Sequence, residues 1–520
     1  MKENKFIYRN LSLRLSDSRR ELLVMMYKVL TKKSNDSYSD TLVLSYFEGL
    51  TDSDISFPIS EIQDMIKHLL KEGEFSGKYN ELQSFKLIRK DNPKKIILLG
   101  LGKKEELDLE KVRRIFAKAI KEAINLKSKD VDVYPINSIN ELSLSQITRA
   151  MTEGLVLGSY KFDKYIKDKK DNPVNNIYIV GANADEIADI DKGIEEGNVL
   201  SQATILARDM VNEPANVLTP AKLAAMAEKT GKESGFEVEV LKEDKIQELG
   251  MEAFFAVGRA SENRPRLIIM RYFGDKKNKK EIIGLVGKGL TYDSGGLCIK
   301  SKDSMVRMKS DMGGAASVIG AMAAIAKRKL KINVVAVVAA CENLISGNSY
   351  RTGDIIGSMA GKTIFIGSTD AEGRLTLADA VHYIIEKENA TKVLDIATLT
   401  GGAVVALGSL ATVVVSNNDE FYKALEDASK ITGEKIWRMP HFDEYKELLK
   451  SNVADLTNSA GNPQAITAAL FVGEFVQNKP WIHMDIAGTA FASKSSEYIA
   501  EGGTGVGVRT IYEMVKKLSK

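Results

Sequence analysis

Three short segments of the chain concentrate acids and bases among glycines. Residues 287–300, GKGLTYDSGGLCIK, carry Lys288, Asp293 and Lys300; residues 308–317, MKSDMGGAAS, carry Asp311; residues 368–380, STDAEGRLTLADA, carry Asp370, Glu372 and Arg374. Singly, each has a plain structural role open to it. Asp311 and Asp370 would serve as helix N-caps, because a carboxylate accepts orphan backbone N–H groups. Glu372 would suit a helix's first turn through the macrodipole, and the bases would be solvated loop or helix-end charges. Together they suggest chemistry. If the fold brings Asp293, Asp311, Asp370 and Glu372 into one crevice, like charges about 4 Å apart repel by roughly 4 kcal/mol at an effective dielectric of about 20. Such a cluster requires protonation, basic neighbours or cations, and two divalent cations match four carboxylates in charge. Dinuclear sites of this kind, with ions ~3.5–4 Å apart, are a route to hydrolysis. The glycines beside the acids (Gly295, Gly296, Gly313, Gly314 and Gly373) let the backbone approach closely.

The elements that must position these residues follow a regular pattern. From Glu281 onward, short Val- and Ile-rich runs recur at IIGLVG, INVVAVVAA, TIFIG, KVLDIA and WIHMDIAG, as in strands buried on both faces. Helical stretches at Met312 to Arg328 and Arg374 to Lys387 lie between them. This alternation predicts an α/β fold with a mostly parallel sheet flanked by helices, and sites beyond the carboxyl ends of its strands. The earlier part of the chain predicts a smaller α/β domain, with strands at Lys94 to Gly102 and Asn176 to Ala182 and a helix running to Leu126; no chemistry shows in it. A helix from about Glu186 to Met210 leads into the Pro/Asn turn cluster VNEPANVLTP. The expected organisation is an N-terminal domain over 1–185, a stiff linker helix over 186–211 and a catalytic domain over 212–520.

Composition excludes more than it selects. The net charge is +3 over 520 residues, without a basic block, so charge gives no support for a nucleic-acid partner. Cys298 and Cys341 are the sole cysteines and offer neither a disulfide framework nor a zinc-finger spacing. The opening MKENKFIYRN lacks a signal-peptide core, and the longest apolar run, around Val334 to Cys341, is half what a bilayer needs. A cytoplasmic location is expected. His68, His382, His441 and His483 form no HExxH pattern. GSMAGKT (Gly357 to Thr363) has three residues between its glycines where a phosphate-binding loop has four, and TGGAVVALG (Thr400 to Gly408) reads as the start of a helix.

On these motifs the chain resembles the leucyl aminopeptidase family of cytosolic dimetal exopeptidases. STDAEGRL differs by one residue from that family's NTDAEGRL signature. GKGLTYDSGGLCIK, MKSDMGGAAS, SGNSYRTGDII, DIATLTGG, ITAALF and WIHMDIAGTAF follow its pattern in order, over roughly Asn212 to Arg509. The resemblance implies that Lys288 and Asp311 bind the more weakly held of two metal ions and that Asp293 and Glu372 bridge both. Asp370 would bind through side chain and backbone carbonyl. It further implies that Lys300 bonds the substrate carbonyl and the developing oxyanion. Arg374 would hold a bicarbonate acting as general base toward a bridging-hydroxide nucleophile. Met308, Thr398, Gly401 and Ala487 match walls of the pocket for the N-terminal side chain; all are apolar or small, which favours Leu, Met and similar residues with broad tolerance. The implied metals are zinc or manganese, with cobalt or magnesium as further candidates, and the implied assembly is a homohexamer acting on short peptides. Ser368 departs from the signature's Asn at a position that is not a ligand, Ser301 replaces a common Pro, and Cys298 reads as a small buried packing residue. Two other readings stay open: a dimetal phosphoesterase, and a non-catalytic DNA-binding relative.

Overall fold

Why the apolar runs become strands is plainest at residues 333–343, NVVAVVAACEN, in which every residue is buried. Alternate side chains enter different cores: Val334, Ala336, Val338 and Ala340 on one face, Val335, Val337, Ala339 and Cys341 on the other. That is the two-residue period of a strand covered on both sides. The computed structural model describes residues 26–31, 38–137, 139, 141–169, 173–278 and 280–519; the opening MKENKFIYRN lies outside them. Contacts divide the chain into two units, one formed by Met1–Leu107, Lys118–Thr148 and Lys167–Ile194, the other by Asp108–Ala117, Arg149–Ile166 and Glu195–Lys520.

The smaller unit holds a six-stranded sheet of β1 (Met26–Thr31), β2 (Thr41–Tyr46), β3 (Leu82–Lys86), β4 (Lys95–Gly100), β5 (Asp130–Val133) and β6 (Asn176–Ala182), in the order β1-β6-β5-β2-β4-β3. All pairings are parallel except β3 with β4. Leu42, Leu44, Ile96 and Leu98 pack there against Ile62 and Ile66 of the helix Ser60–Lys71. The helix Ile187–Asn212 then carries the chain into the larger unit.

The larger unit is built on eight strands: β7 (Glu237–Leu241), β8 (Arg266–Phe273), β9 (Ile283–Asp293), β10 (Asn333–Asn343), β13 (Lys392–Ala397), β14 (Thr412–Ser416), β15 (Ile436–Arg438) and β17 (Trp481–Asp485). They are ordered β15-β14-β17-β13-β9-β10-β8-β7. The centre, β17-β13-β9-β10, is parallel, whereas β14 and β8 join it antiparallel and β7 extends β8 antiparallel. The sheet is therefore mixed: its four central strands are parallel, with β9 ending at Asp293, and β14 also pairs parallel with the edge strand β15.

Two sequence expectations need correction here. TIFIG does not enter this sheet: only Ile364–Phe365 is extended, as β12, within a separate small sheet with β11 (Ile355–Ile356) and β16 (Leu456–Thr457). Lys288 and Asp293 also lie not in a glycine loop but within β9, which continues to Asp293 with one shift of register against β10 at Thr291.

Two helices complete the site's frame. Gly313–Lys327 is buried along all but its last residue, consistent with its small and apolar composition. It lies so close to the sheet that a Cβ on Gly314 would stand 2.0 Å from the carbonyl oxygen of Ile396. The second helix, Gly373–Glu386, is held in its middle by Asp379, whose carboxylate accepts the N–H groups of Phe254 and Met359 at 2.8 Å each. Burial pushes the Asp379 carboxyl up to about 7, against the opposing effect of those hydrogen bonds. The folded chain thus keeps a proton at pH values where the unfolded chain has released it. Stability is expected to fall as pH rises from about 4 through about 7, by at most about 4 kcal/mol from this group. Asp379→Asn imitates the neutral acid, so its melting temperature relative to the parent should climb between pH 5 and pH 8. A constant difference would mean that the carboxylate is ionised throughout.

Candidate active site

The parallel strands β9 and β13 carry their chain ends to one place. Asp293 closes β9, Thr398 follows β13, and Asp311 lies in the turn before the helix Gly313–Lys327. Asp370 and Glu372 come from the turn leading into the helix Gly373–Glu386. Oxygens of Asp293, Asp370 and Glu372 lie within 4.8 Å of one another. Asp311 reaches the group through Lys288, whose Nζ is 2.8 Å from Asp311 Oδ2 and 3.0 Å from Glu372 Oε1, and donates to the carbonyl oxygen of Thr398 at 2.9 Å. Lys300 pairs with Asp293 Oδ2 at 2.8 Å and with Asp370. Two lysines thus divide four carboxylates between them.

The helix-cap alternatives fail. Met312, not Asp311, takes the cap position before Gly313, and Glu372, not Asp370, takes it before Gly373, without a capping hydrogen bond.

Burial alone would lower the pKa of Lys288, but Asp311, Glu372 and Asp293 outweigh it and hold the amine charged. The same balance raises Lys300, with Asp293 the largest attraction. Burial, reinforced by Asp293, pushes the Glu372 carboxyl above the usual range, and burial does the same to Asp311 against the attraction of Lys288. Glu372 Oε2 is buried and accepts no hydrogen bond among the described residues. An orphaned buried oxygen among hard carboxylate donors, in excess over the lysines, is a donor set that fits divalent cations such as zinc, manganese or magnesium. Arg374 is buried and donates through Nη1 to the carbonyl oxygen of Asn458 at 2.7 Å, while its Nε has no partner among the described residues. Burial draws its guanidinium down to about 10, with Glu372 and Asp485 opposing.

The expected pocket residues are spread along neighbouring strand ends. Thr398 Oγ1 donates to Asp311 Oδ1 at 2.7 Å. Ala487 N donates to Asp485 Oδ1 at 3.1 Å, as does Leu399 N. Gly401 is exposed at the first position of the helix Gly401–Leu407, and Met308 is half-buried in the short turn before Asp311. Cys298 is not buried as expected; it is part-exposed, with Sγ 3.4 Å from Thr352 Oγ1.

Several residues that sequence reasoning passed over support the site. Asn458 accepts from Gly367 N at 2.8 Å and donates to the carbonyl oxygen of Ser368 at 2.7 Å, clamping the turn that bears Asp370. Tyr350 OH donates to the carbonyl oxygen of Thr369 at 2.7 Å. Asn343 donates to Asp293 Oδ1. Below the site, Asp395 of β13 accepts from Trp481 Nε1 and pairs with His483, its register partner on β17.

A parallel-cored α/β unit with clustered acids and bases at its strand ends is the architecture of a metal-dependent hydrolase. The chain belongs to the cytosol aminopeptidase family: that family's catalytic-domain model matches residues 205–512 and its N-terminal-domain model residues 43–169. It is 54% identical, over 95% of its length and 100% of the relative's, to the probable cytosol aminopeptidase of Clostridium perfringens. Among solved structures it is similar to a mutant tomato leucine aminopeptidase, with TM-score 0.82 and 32% identity covering 95% of this chain and 96% of the other. It is also similar to the bottromycin maturation enzyme BotP in complex with Mn, with TM-score 0.82 and 29% identity covering 93% and 100%. Among the described residues no helix is long and apolar enough to cross a membrane.

Proposed function

We propose that the chain releases N-terminal amino acids, Leu, Met and similar apolar residues by preference, from short peptides in the cytoplasm. The observation that carries this reading is the convergence of four carboxylates divided between Lys288 and Lys300, with Glu372 Oε2 unpartnered among the described residues. Lys288, Asp293, Asp311, Asp370 and Glu372 would hold two divalent cations, zinc or manganese, with cobalt or magnesium as alternatives. When bound, these supply Lewis-acid polarisation of the scissile carbonyl and make water more acidic. Lys288 would serve only as the neutral amine, since ammonium has no lone pair. Lys300 keeps its charge and donates to the carbonyl oxygen, where negative charge develops. Arg374, with Nε uncommitted, would hold a bicarbonate, a group that supplies a proton acceptor beside the reacting centre. Met308, Thr398, Gly401 and Ala487 would wall the side-chain pocket. Residues 1–185, 186–211 and 212–520 would be the N-terminal domain, connecting helix and catalytic domain, and the working assembly a homohexamer.

One experiment tests the reading. After chelation and readdition of manganese or zinc, Leu-p-nitroanilide should be cleaved, whereas its N-acetylated form and p-nitrophenyl phosphate should not. Turnover of the phosphate ester alone would make the protein a phosphoesterase. Full activity without metal would remove the cations from the mechanism.

A further inference from the structure

We infer that Asn343 is a positioning residue: its side-chain amide aligns Asp293 and the turn of Asp370, and so sets how tightly the site holds a divalent cation. This rests on the cation-binding reading above and extends it to a residue outside the proposed ligand set. Asn343 is the last residue of β10, fully buried, and in register with Asp293 at the end of β9. Its Nδ2 donates to Asp293 Oδ1 at 2.8 Å and to the carbonyl oxygen of Thr369 at 3.0 Å. Both partners are acceptors, so only the nitrogen of the amide can face them, and one planar group joins the two acid-bearing segments. Gly295 N also donates to Asp293 Oδ1, at 2.9 Å. With Oδ1 committed to two N–H donors, Oδ2, which faces Lys300 at 2.8 Å, is the oxygen left to meet a cation. The backbone locks the arrangement: the carbonyl oxygen of Asn343 accepts both the N–H and the hydroxyl of Ser294, at 3.0 and 2.8 Å. The fit is close, because a Cβ on Gly296 would stand 3.0 Å from Asn343 Oδ1.

The bland alternative is an amide that merely satisfies buried neighbours. It is separable, because the neighbours do not depend on Asn343 alone. Without it, Asp293 Oδ1 keeps Gly295 N, and the carbonyl oxygen of Thr369 keeps Tyr350 OH at 2.7 Å. Asn343→Leu, similar in volume and lacking donors, therefore leaves no acceptor orphaned and should fold. Calorimetric titration of the chelated full-length protein with manganese should show binding weakened about 10- to 100-fold, the usual effect of losing a group that orients a metal ligand. Excess manganese should restore much of the activity on Leu-p-nitroanilide, with KM little changed, and the metal-free melting temperature should stay within a few degrees of the parent's. Asn343→Ser, with one donor on a shorter side chain, should fall between, and it carries the test if the leucine variant does not fold. Manganese affinity within twofold of the parent's in the folded variant would overturn the inference. A parent protein that binds no divalent cation would instead overturn the reading on which it rests.

Discussion

Glu372→Ala is expected to lower turnover of Leu-p-nitroanilide by roughly 10³-fold or more, equivalent to about 4 kcal/mol of transition-state stabilisation, and to leave less metal bound after dialysis. The basis is position. Glu372 lies with Asp293 and Asp370 in the tightest group of carboxylates, contacts Lys288 through Oε1, and presents an Oε2 with no partner among the described residues. No described residue satisfies that oxygen, and burial beside Asp293 raises the energy of the charged form. The carboxylate is therefore held at a cost that Lys288 offsets in part and that a bound cation would offset further. Removing it should not destabilise the metal-free protein, because Lys288 retains Asp311 at 2.8 Å and a mutual repulsion disappears. Metal-free melting temperatures should thus agree within a few degrees, or favour the variant. Near-normal activity with full metal content would end the bridging assignment.

Lys300→Met should behave differently. Loss of a preorganised donor to developing negative charge typically lowers kcat by about 10²–10³-fold, and that is the expected effect here. Metal content should not fall. Deleting a cation from between Asp293 and Asp370 makes the site more negative, while Asp293 keeps the hydrogen bonds from Asn343 and Gly295. The measurement is kcat with Leu-p-nitroanilide beside elemental analysis of the dialysed protein. If the lysine variant sheds metal and Lys288→Met does not, the roles of the two lysines are exchanged.

The legibility of these residues from sequence follows from how each kind is encoded. Charged residues in glycine-rich segments stand out locally, and Lys288, Asp293, Lys300, Asp311, Asp370, Glu372 and Arg374 were all visible before any fold was known. Where they lie was less visible. β9 runs on to Asp293 although its apolar run ends at Leu290, because pairing with β10 holds it to the end. TIFIG has the apolar pattern of a core strand, yet only two of its residues pair, and in another sheet, since short apolar runs do not state their partners. The parallel centre followed from the alternation of strands and helices, but antiparallel β14 and β8 come from connections that no local pattern reports. Amides fared worst. Asn343 and Asn458 carry no charge and no periodicity, and their importance arises wholly from what lies across from them. His483, which belongs to no metal-binding pattern in the sequence, is buried with Asp395 opposite it in the register.

The sharing of four acids by two lysines bears on how such a protein matures. A pocket of unopposed negative charge would resist closing and make folding wait for its ions. Here each acid already has an internal counter-charge, so the newly made polypeptide can reach its final shape first and be loaded afterwards. Cations held there would then be able to leave without unravelling the scaffold around them.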